Sequence, residues 1–225
     1  MTNILTKLNR SFSALITVDV QNDFVLPGAL AEMPGAHQMI PKMVELIQAF
    51  RRAKKPVIHV VRLYLPDGSN VDLCRREAVR LGKHIVLPET AGAELVAELK
   101  PSKSVRLRSE LLLQGNVQII GDREVVVYKP RWGAFYRTVL ETFLKEHRVD
   151  SLVFCGCNFP NCPRASIYEA SERDFKISLA TDAVSGLYEE GIRELERIGV
   201  SMQTTAEIIS WLETATQESE GNNYG

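Results

Sequence analysis

The 225 residues carry 27 basic and 28 acidic side chains, a formal net charge of −1, with 45% hydrophobic and 24% charged residues. That length and composition fit one large α/β domain able to bury about 70% of its unfolded surface, and exclude a fibrous or disordered chain. Charge is spread evenly, no apolar run approaches the roughly 20 residues of a membrane span, and the first residues lack the apolar segment of a secretory leader, so a cytoplasmic protein without nucleic-acid or membrane partners is expected.

Apolar runs of strand length alternate with helical patterns. Ala14–Val20 reads as a buried strand, and Pro41–Ala53 as a helix with Met43, Leu46, Ile47 and Phe50 on one face. Pro56–Arg62 is a second strand; the stretch from Leu63 to Arg123 breaks the rhythm, with a helix expected at Glu89–Leu99 among irregular loops that shape a substrate site. Strands follow at Glu124–Lys129, Ser151–Cys155, Lys176–Ala180 and Val200–Gln203, with helices at Tyr136–Glu146, Pro163–Arg173, Tyr188–Ile198 and Ala206–Glu213. Near-continuous Val, Ile and Leu means strands buried on both faces. The expected fold class is therefore α/β: a three-layer α/β/α sandwich with a central, mainly parallel sheet of about six strands. One domain is expected over 1–213, with a polar tail at 214–225.

Ligands of open parallel sheets bind at the carboxyl ends of strands, and three reactive side chains stand there. Asp19 closes the first strand, where a carboxylate is costly unless paired; anchoring a loop is its ordinary alternative. Lys129 closes another strand; it either snorkels to the surface or, beside a thiol, favours thiolate. Cys162 precedes Pro163, a residue suited to the first helical position, so its sulfur is expected at a helix N-terminus, where the dipole lowers a thiol pKa. The chain has four cysteines, Cys74, Cys155, Cys157 and Cys162. In a reducing compartment no disulfide framework is expected, and C-x-C-x4-C lacks the paired knuckles of a structural zinc site. Cys155 and Cys157 are expected to pack as small hydrophobes.

These segments resemble those of the isochorismatase-like cysteine hydrolases, a superfamily that includes nicotinamidases, N-carbamoylsarcosine amidase and ureidoacrylate hydrolases. The resemblance rests on A-L-I-T-V-D-V-Q-N-D-F and the L-P-G-A-L-A-E-M-P-G-A-H after it, on V-V-V-Y-K-P-R-W-G-A-F, and on G-C-N-F-P-N-C-P followed by A-T-D-A-V-S-G. It implies a catalytic set of Asp19, Lys129 and Cys162, a cis peptide between Cys157 and Asn158, and an oxyanion hole from the N–H groups of Asn158 and Cys162. It implies attack of Cys162 on a C–N amide or ureido bond of a small molecule, no cofactor, and a homo-oligomer (dimer or tetramer). Nicotinamidases carry an Asp-x-His metal pair after the second strand; here that stretch reads H-V-V-R-L-Y-L-P-D-G-S-N, so no metal is expected. Two alternatives stay open: vinyl ether hydrolysis by Asp19 without a covalent step, and a member that binds without catalysis. Asn158, Phe159 and Pro163 depart from the usual nucleophile loop. Phe24, Trp132, Phe135 and Phe159 flank the three segments as candidate walls of the substrate pocket, with core packing as the alternative. Arg62, Tyr64, Asn70 and Arg75 could meet a polar or anionic substrate.

Overall fold

The computed structural model describes residues 4–214. Seven strands form one sheet: β1 (Ser13–Val18), β2 (Val57–Val61), β3 (Gln118–Gly121), β4 (Glu124–Tyr128), β5 (Ser151–Gly156), β6 (Lys176–Val184) and β7 (Ser201–Gln203), ordered β3-β4-β2-β1-β5-β6-β7. All neighbours are parallel except the edge pair β3 and β4. β1, β2 and β5 are buried at every position, as strands covered on both faces must be. Alternation within these apolar runs sorts the side chains into two layers. Leu15, Val57 and Val153 pack with Met43, Leu46 and Phe50 of α2 (Ile40–Arg52) and with Ile208 and Leu212 of α8 (Thr205–Glu213). Ala14, Ile16, Ile58 and Phe154 face Leu140 and Leu144 of α5 (Leu140–Glu146), Ile167 of α6 (Cys162–Ser171) and Leu195 of α7 (Glu189–Arg197). Each large apolar side chain buried here contributes about 1.5–3 kcal/mol. The tail expected from residue 214 begins with Thr214, which closes α8 by donating from Oγ1 to the Ser210 carbonyl; its remainder lies outside the described residues.

The stretch 63–123 differs from expectation. The helix expected over Glu89–Leu99 is two single turns, Ala91–Ala93 and Ala97–Leu99, because its backbone is drawn into pairing with the segment after β1. Asn22 N–H donates to Glu94 O at 2.9 Å and Val96 N–H to Val20 O at 3.2 Å, so tertiary contacts override helical periodicity. α1 (Asn22–Val25), α3 (Leu73–Arg80), α4 (Ser109–Leu113) and β3 are elements the sequence pattern does not reveal. α5 starts four residues later than expected. The N–H groups of Ala134 and Phe135 are taken by Ser166 Oγ and Glu169 Oε2, and Arg137 sits at φ 52°.

A buried polar chain crosses the α2 side of the sheet. Arg51 Nε and Nη2 each donate to Glu124 at 2.7 Å, His59 Nε2 lies 2.9 Å from the same carboxylate, and His59 Nδ1 lies 2.8 Å from Thr17 Oγ1. Burial opposes the charge of Glu124, but Arg51 and His59 outweigh it and hold the carboxyl below the usual glutamate range. A carboxyl lowered by folding contributes stability that is complete above the unfolded pKa and is lost as pH falls through the folded value. Glu124→Gln should therefore cost about 2–3 kcal/mol in urea denaturation at pH 7. The gap to wild type should close as the pH is taken down through the acid range; a gap independent of pH would refute the assignment.

Candidate active site

The chain leaves β1 toward β2 and β4 on one side, then returns to place β5 on the other. The crevice between the carboxyl ends of β1 and β5 is thus a topological switch point. Asp19 follows β1 there at φ 54°, in the left-handed region that Asp tolerates better than most residues. Its N–H donates to Val60 O at 2.9 Å, and its carbonyl accepts from Cys157 Sγ at 3.0 Å. Its buried carboxylate accepts from Lys129 Nζ at Oδ2, 2.9 Å, while Oδ1 has no partner among the described residues. Lys129 does not snorkel: it is 0% exposed, continues the ladder through its N–H to Val61 O at 3.0 Å, and gives a second Nζ bond to Arg131 O at 3.3 Å.

β5 delivers the third member. Gly156 at its end has φ 125°, and a Cβ there would lie 2.2 Å from Val18 O, so only glycine lets β5 approach β1 this closely. Gly156→Ala should cost about 3 kcal/mol by thermal denaturation and displace the loop beyond it; a variant with wild-type Tm would contradict this account. The Cys157–Asn158 peptide is cis, as the resemblance implies. The loop is pinned to β6 by Phe159 N–H donating to Ser185 O at 2.7 Å, and α6 then starts at Cys162, with Asn161 as its N-cap. Ser166 Oγ donates to Cys162 O at 2.7 Å and accepts from Ala134 N–H at 3.0 Å, joining the helix start to the loop after Lys129. Neither Asn158 N–H nor Cys162 N–H finds an acceptor among the described residues.

The Cys162 thiol is not lowered by its helix start, contrary to expectation. Burial pushes it up to about 12, the Asp19 charge adds to this, and Lys129 and Arg62 oppose it. Cys155, inside β5, is likewise pushed up to about 12 by burial, and Cys157 is raised with its Sγ already donating to the Asp19 carbonyl. Cys162 and Asp19 share a narrow cleft with Phe24, Met33, Arg75 and Asn158, whose free space is about 10 Å³, room for about one water. Asn161 separates it from a hollow of about 320 Å³ lined by Trp132, Arg164 and Tyr168. Larger hollows of about 410 and 510 Å³ lie by Ile177 and against α8, with no cysteine in their walls.

Of the expected pocket aromatics, Phe24 lines the cleft and Trp132 stands beside it. Phe135 and Phe159 do not reach it. Phe135 packs against Phe175 at 5.7 Å, and fully buried Phe159 meets Tyr188 edge-on at 5.5 Å, both in the layer under α6 and α7. Arg62 is buried, ion-paired to Asp72, and donates to Tyr64 Oη at 3.1 Å. Asn70 braces its own loop through Leu63 O and Tyr128 Oη. Met33 and Asn161 are cleft residues that sequence reasoning did not single out, though both lie in segments that carry the family resemblance. Among the described residues no three His, Cys, Asp or Glu side chains converge as a metal-ligand set. In the stretch after β2, Asp67 is followed two positions on by Ser69 and not by a histidine.

A family model described as the isochorismatase domain matches residues 13–108 and 117–211. A "probable inactive nicotinamidase" of Arabidopsis thaliana is 29% identical over 203 residues, covering 87% of this chain and 93% of that protein. The N-carbamoylsarcosine amidase of an Arthrobacter species is 23% identical, covering 91% of this chain and 72% of that one. The crystal structure of an isochorismatase family protein from Desulfovibrio vulgaris superposes with a TM-score of 0.76 at 31% identity, covering 89% of this chain and 98% of that one. Matched by the family model on both sides of the sheet's switch point, the chain belongs to the isochorismatase family.

Proposed function

We propose that this chain is a cysteine-dependent hydrolase that cleaves a C–N amide or ureido bond of a small molecule through a thioester on Cys162. The observation that carries this reading is the pairing in one cleft of a buried thiol with a carboxylate that has one oxygen held by Lys129 and the other free. Asp19 takes the thiol proton as the sulfur adds to the substrate carbonyl, forming the C–S bond and moving the π pair onto oxygen. The free N–H groups of Asn158 and Cys162 receive that oxyanion. Collapse breaks the C–N bond, with the proton passing from Asp19 to the leaving nitrogen. Asp19 then deprotonates water, which adds to the thioester; the C–S bond breaks and the proton returns to sulfur.

A thiol raised by burial suits this order of events, because the charge on sulfur is generated together with its consumption rather than stored as a thiolate. The relative named as an N-carbamoylsarcosine amidase supports C–N chemistry, whereas the one named as probably inactive favours a second reading, binding without turnover. Ammonia release from small amides, ureido compounds and lactams, followed with intact-mass detection of an acyl group on Cys162, separates them. Turnover with an adduct is the expected result. A folded protein that releases no ammonia and acquires no adduct would establish the binding role.

A further inference from the structure

α6 carries more than the nucleophile. Cys162, Ser166 and Glu169 stand at i, i+4 and i+7 of that helix, on one face, and the last two reach the loop that follows Lys129. Ser166 Oγ, fully buried, gives its hydrogen to Cys162 O at 2.7 Å and accepts the Ala134 N–H at 3.0 Å. Glu169 Oε2 accepts the next N–H, that of Phe135, at 2.8 Å in a charge-assisted bond. The approach dictates the residue before them: a Cβ on Gly133 would lie 2.1 Å from the Glu169 carboxyl carbon and push the carboxylate off the Phe135 N–H. At its near end the same loop meets the catalytic set. Arg131 O accepts from Lys129 Nζ at 3.3 Å, beside the 2.9 Å bond from that Nζ to Asp19 Oδ2. The bonds close a ring. It runs from Cys162 along α6 to Ser166 and Glu169, across to Ala134 and Phe135, back to Arg131, and through Lys129 to Asp19, which shares the cleft with Cys162.

Resting on the amidase reading, we propose that Ser166 and Glu169 are positioning residues: from the helix that begins with Cys162 they clamp the 130–135 loop, and through its Arg131 carbonyl they aim the Lys129 ammonium at Asp19. An ammonium on a flexible four-carbon stem has no direction of its own; its acceptors supply one. Lys129 ends β4 and Cys162 follows β5, and β2 and β1 lie between those strands in the sheet. Strand pairing alone would register the two residues only across three ladders. The clamp ties them directly, so a shift of the nucleophile's helix carries the Lys129 loop with it. Misplacement by about 1 Å away from the chemistry costs about a hundredfold in rate, which is the scale of effect that such a tie prevents.

The test measures kcat and KM for ammonia release from the small amide turned over fastest, with iodoacetamide labelling of Cys162 at a fixed pH, in Ser166→Ala, Glu169→Ala and Glu169→Gln. Both alanine variants should lose about tenfold to a hundredfold in kcat with KM little changed. Glu169→Gln keeps an acceptor for the Phe135 N–H and should recover most of that loss. Both alanine variants should also label more slowly than wild type, because Lys129 lowers the Cys162 pKa only while it is held near the sulfur. In a Lys129→Met background neither alanine change should slow labelling further, since the route runs through the missing ammonium. Glu169 is half-buried, so Glu169→Ala decides the matter if Ser166→Ala fails to fold. Wild-type kcat and labelling in Glu169→Ala overturn the proposal. So does slowing that persists undiminished in the Lys129→Met background, which is what a general loosening of the fold produces. If wild type itself releases no ammonia, the amidase reading falls, while a slowing of labelling that vanishes in the Lys129→Met background still upholds the clamp.

Discussion

Cys162→Ala is expected to lower ammonia release by about four orders of magnitude or more, since a covalent mechanism has no second nucleophile to fall back on. The other cysteines cannot substitute. Cys155 is sealed inside β5, Cys157 donates its thiol to the Asp19 carbonyl, and Cys74 is exposed on α3. Loss of one sulfur at a position 5% exposed should cost about 1 kcal/mol, so the melting temperature should fall by about 2–4 °C and the rate loss is chemical. The protonation state is tested by alkylation. With the thiol pushed up to about 12, iodoacetamide labelling of Cys162 should rise about tenfold per unit between pH 6 and 9, because thiolate is the reacting form. A plateau reached near neutral pH would mean a stored thiolate and would remove Asp19 from the role of first base. Substantial turnover by the alanine variant would end the covalent mechanism.

That result also marks what a sequence carries. The central strands β1, β2, β4 and β5 were legible because they are runs rich in β-branched and aliphatic residues, and strand ends direct attention to Asp19, Lys129 and Cys162 wherever the intervening chain wanders. The direction of the Cys162 shift was not legible: a helix start is a local feature, whereas burial and the Asp19 charge are supplied by segments far away in sequence. The same distinction separates the aromatics. Phe24 and Phe135 both flank a catalytic segment, but only the turn of α1 aims one at the cleft, while Glu169 holds the backbone that keeps the other in the core. β3 was hidden because four residues of an edge hairpin carry little periodicity, and α3 because its face is largely charged. Arg75 appeared as one of four polar residues of an irregular stretch that could meet a polar or anionic substrate; its want of an ion pair among the described residues is a three-dimensional fact.

Lys129→Met should be the most destabilising change in the cleft and also changes the chemistry. Lys129 is fully buried and supplies the hydrogen bond that Asp19 receives, so its loss leaves a carboxylate buried with neither partner nor solvent. Breaking such a pair costs about 3–5 kcal/mol, a fall in melting temperature of roughly 6–20 °C for a chain of this size. Adding Asp19→Asn to Lys129→Met removes the stranded charge, so the double variant should regain much of that loss, and scanning calorimetry of the two singles and the double measures the coupling. Neither variant should recover turnover, because the double lacks the base. Alkylation distinguishes packing from electrostatics: Lys129 lowers the Cys162 pKa and Asp19 raises it, with Asp19 the larger influence. Lys129→Met alone should therefore label more slowly than wild type at a fixed pH, and the double variant no more slowly than wild type. If the double variant melts lower than Lys129→Met alone, the pair is held by packing rather than by charge. If both variants label at the wild-type rate, neither group acts on the sulfur, and the three side chains are neighbours without being a catalytic unit.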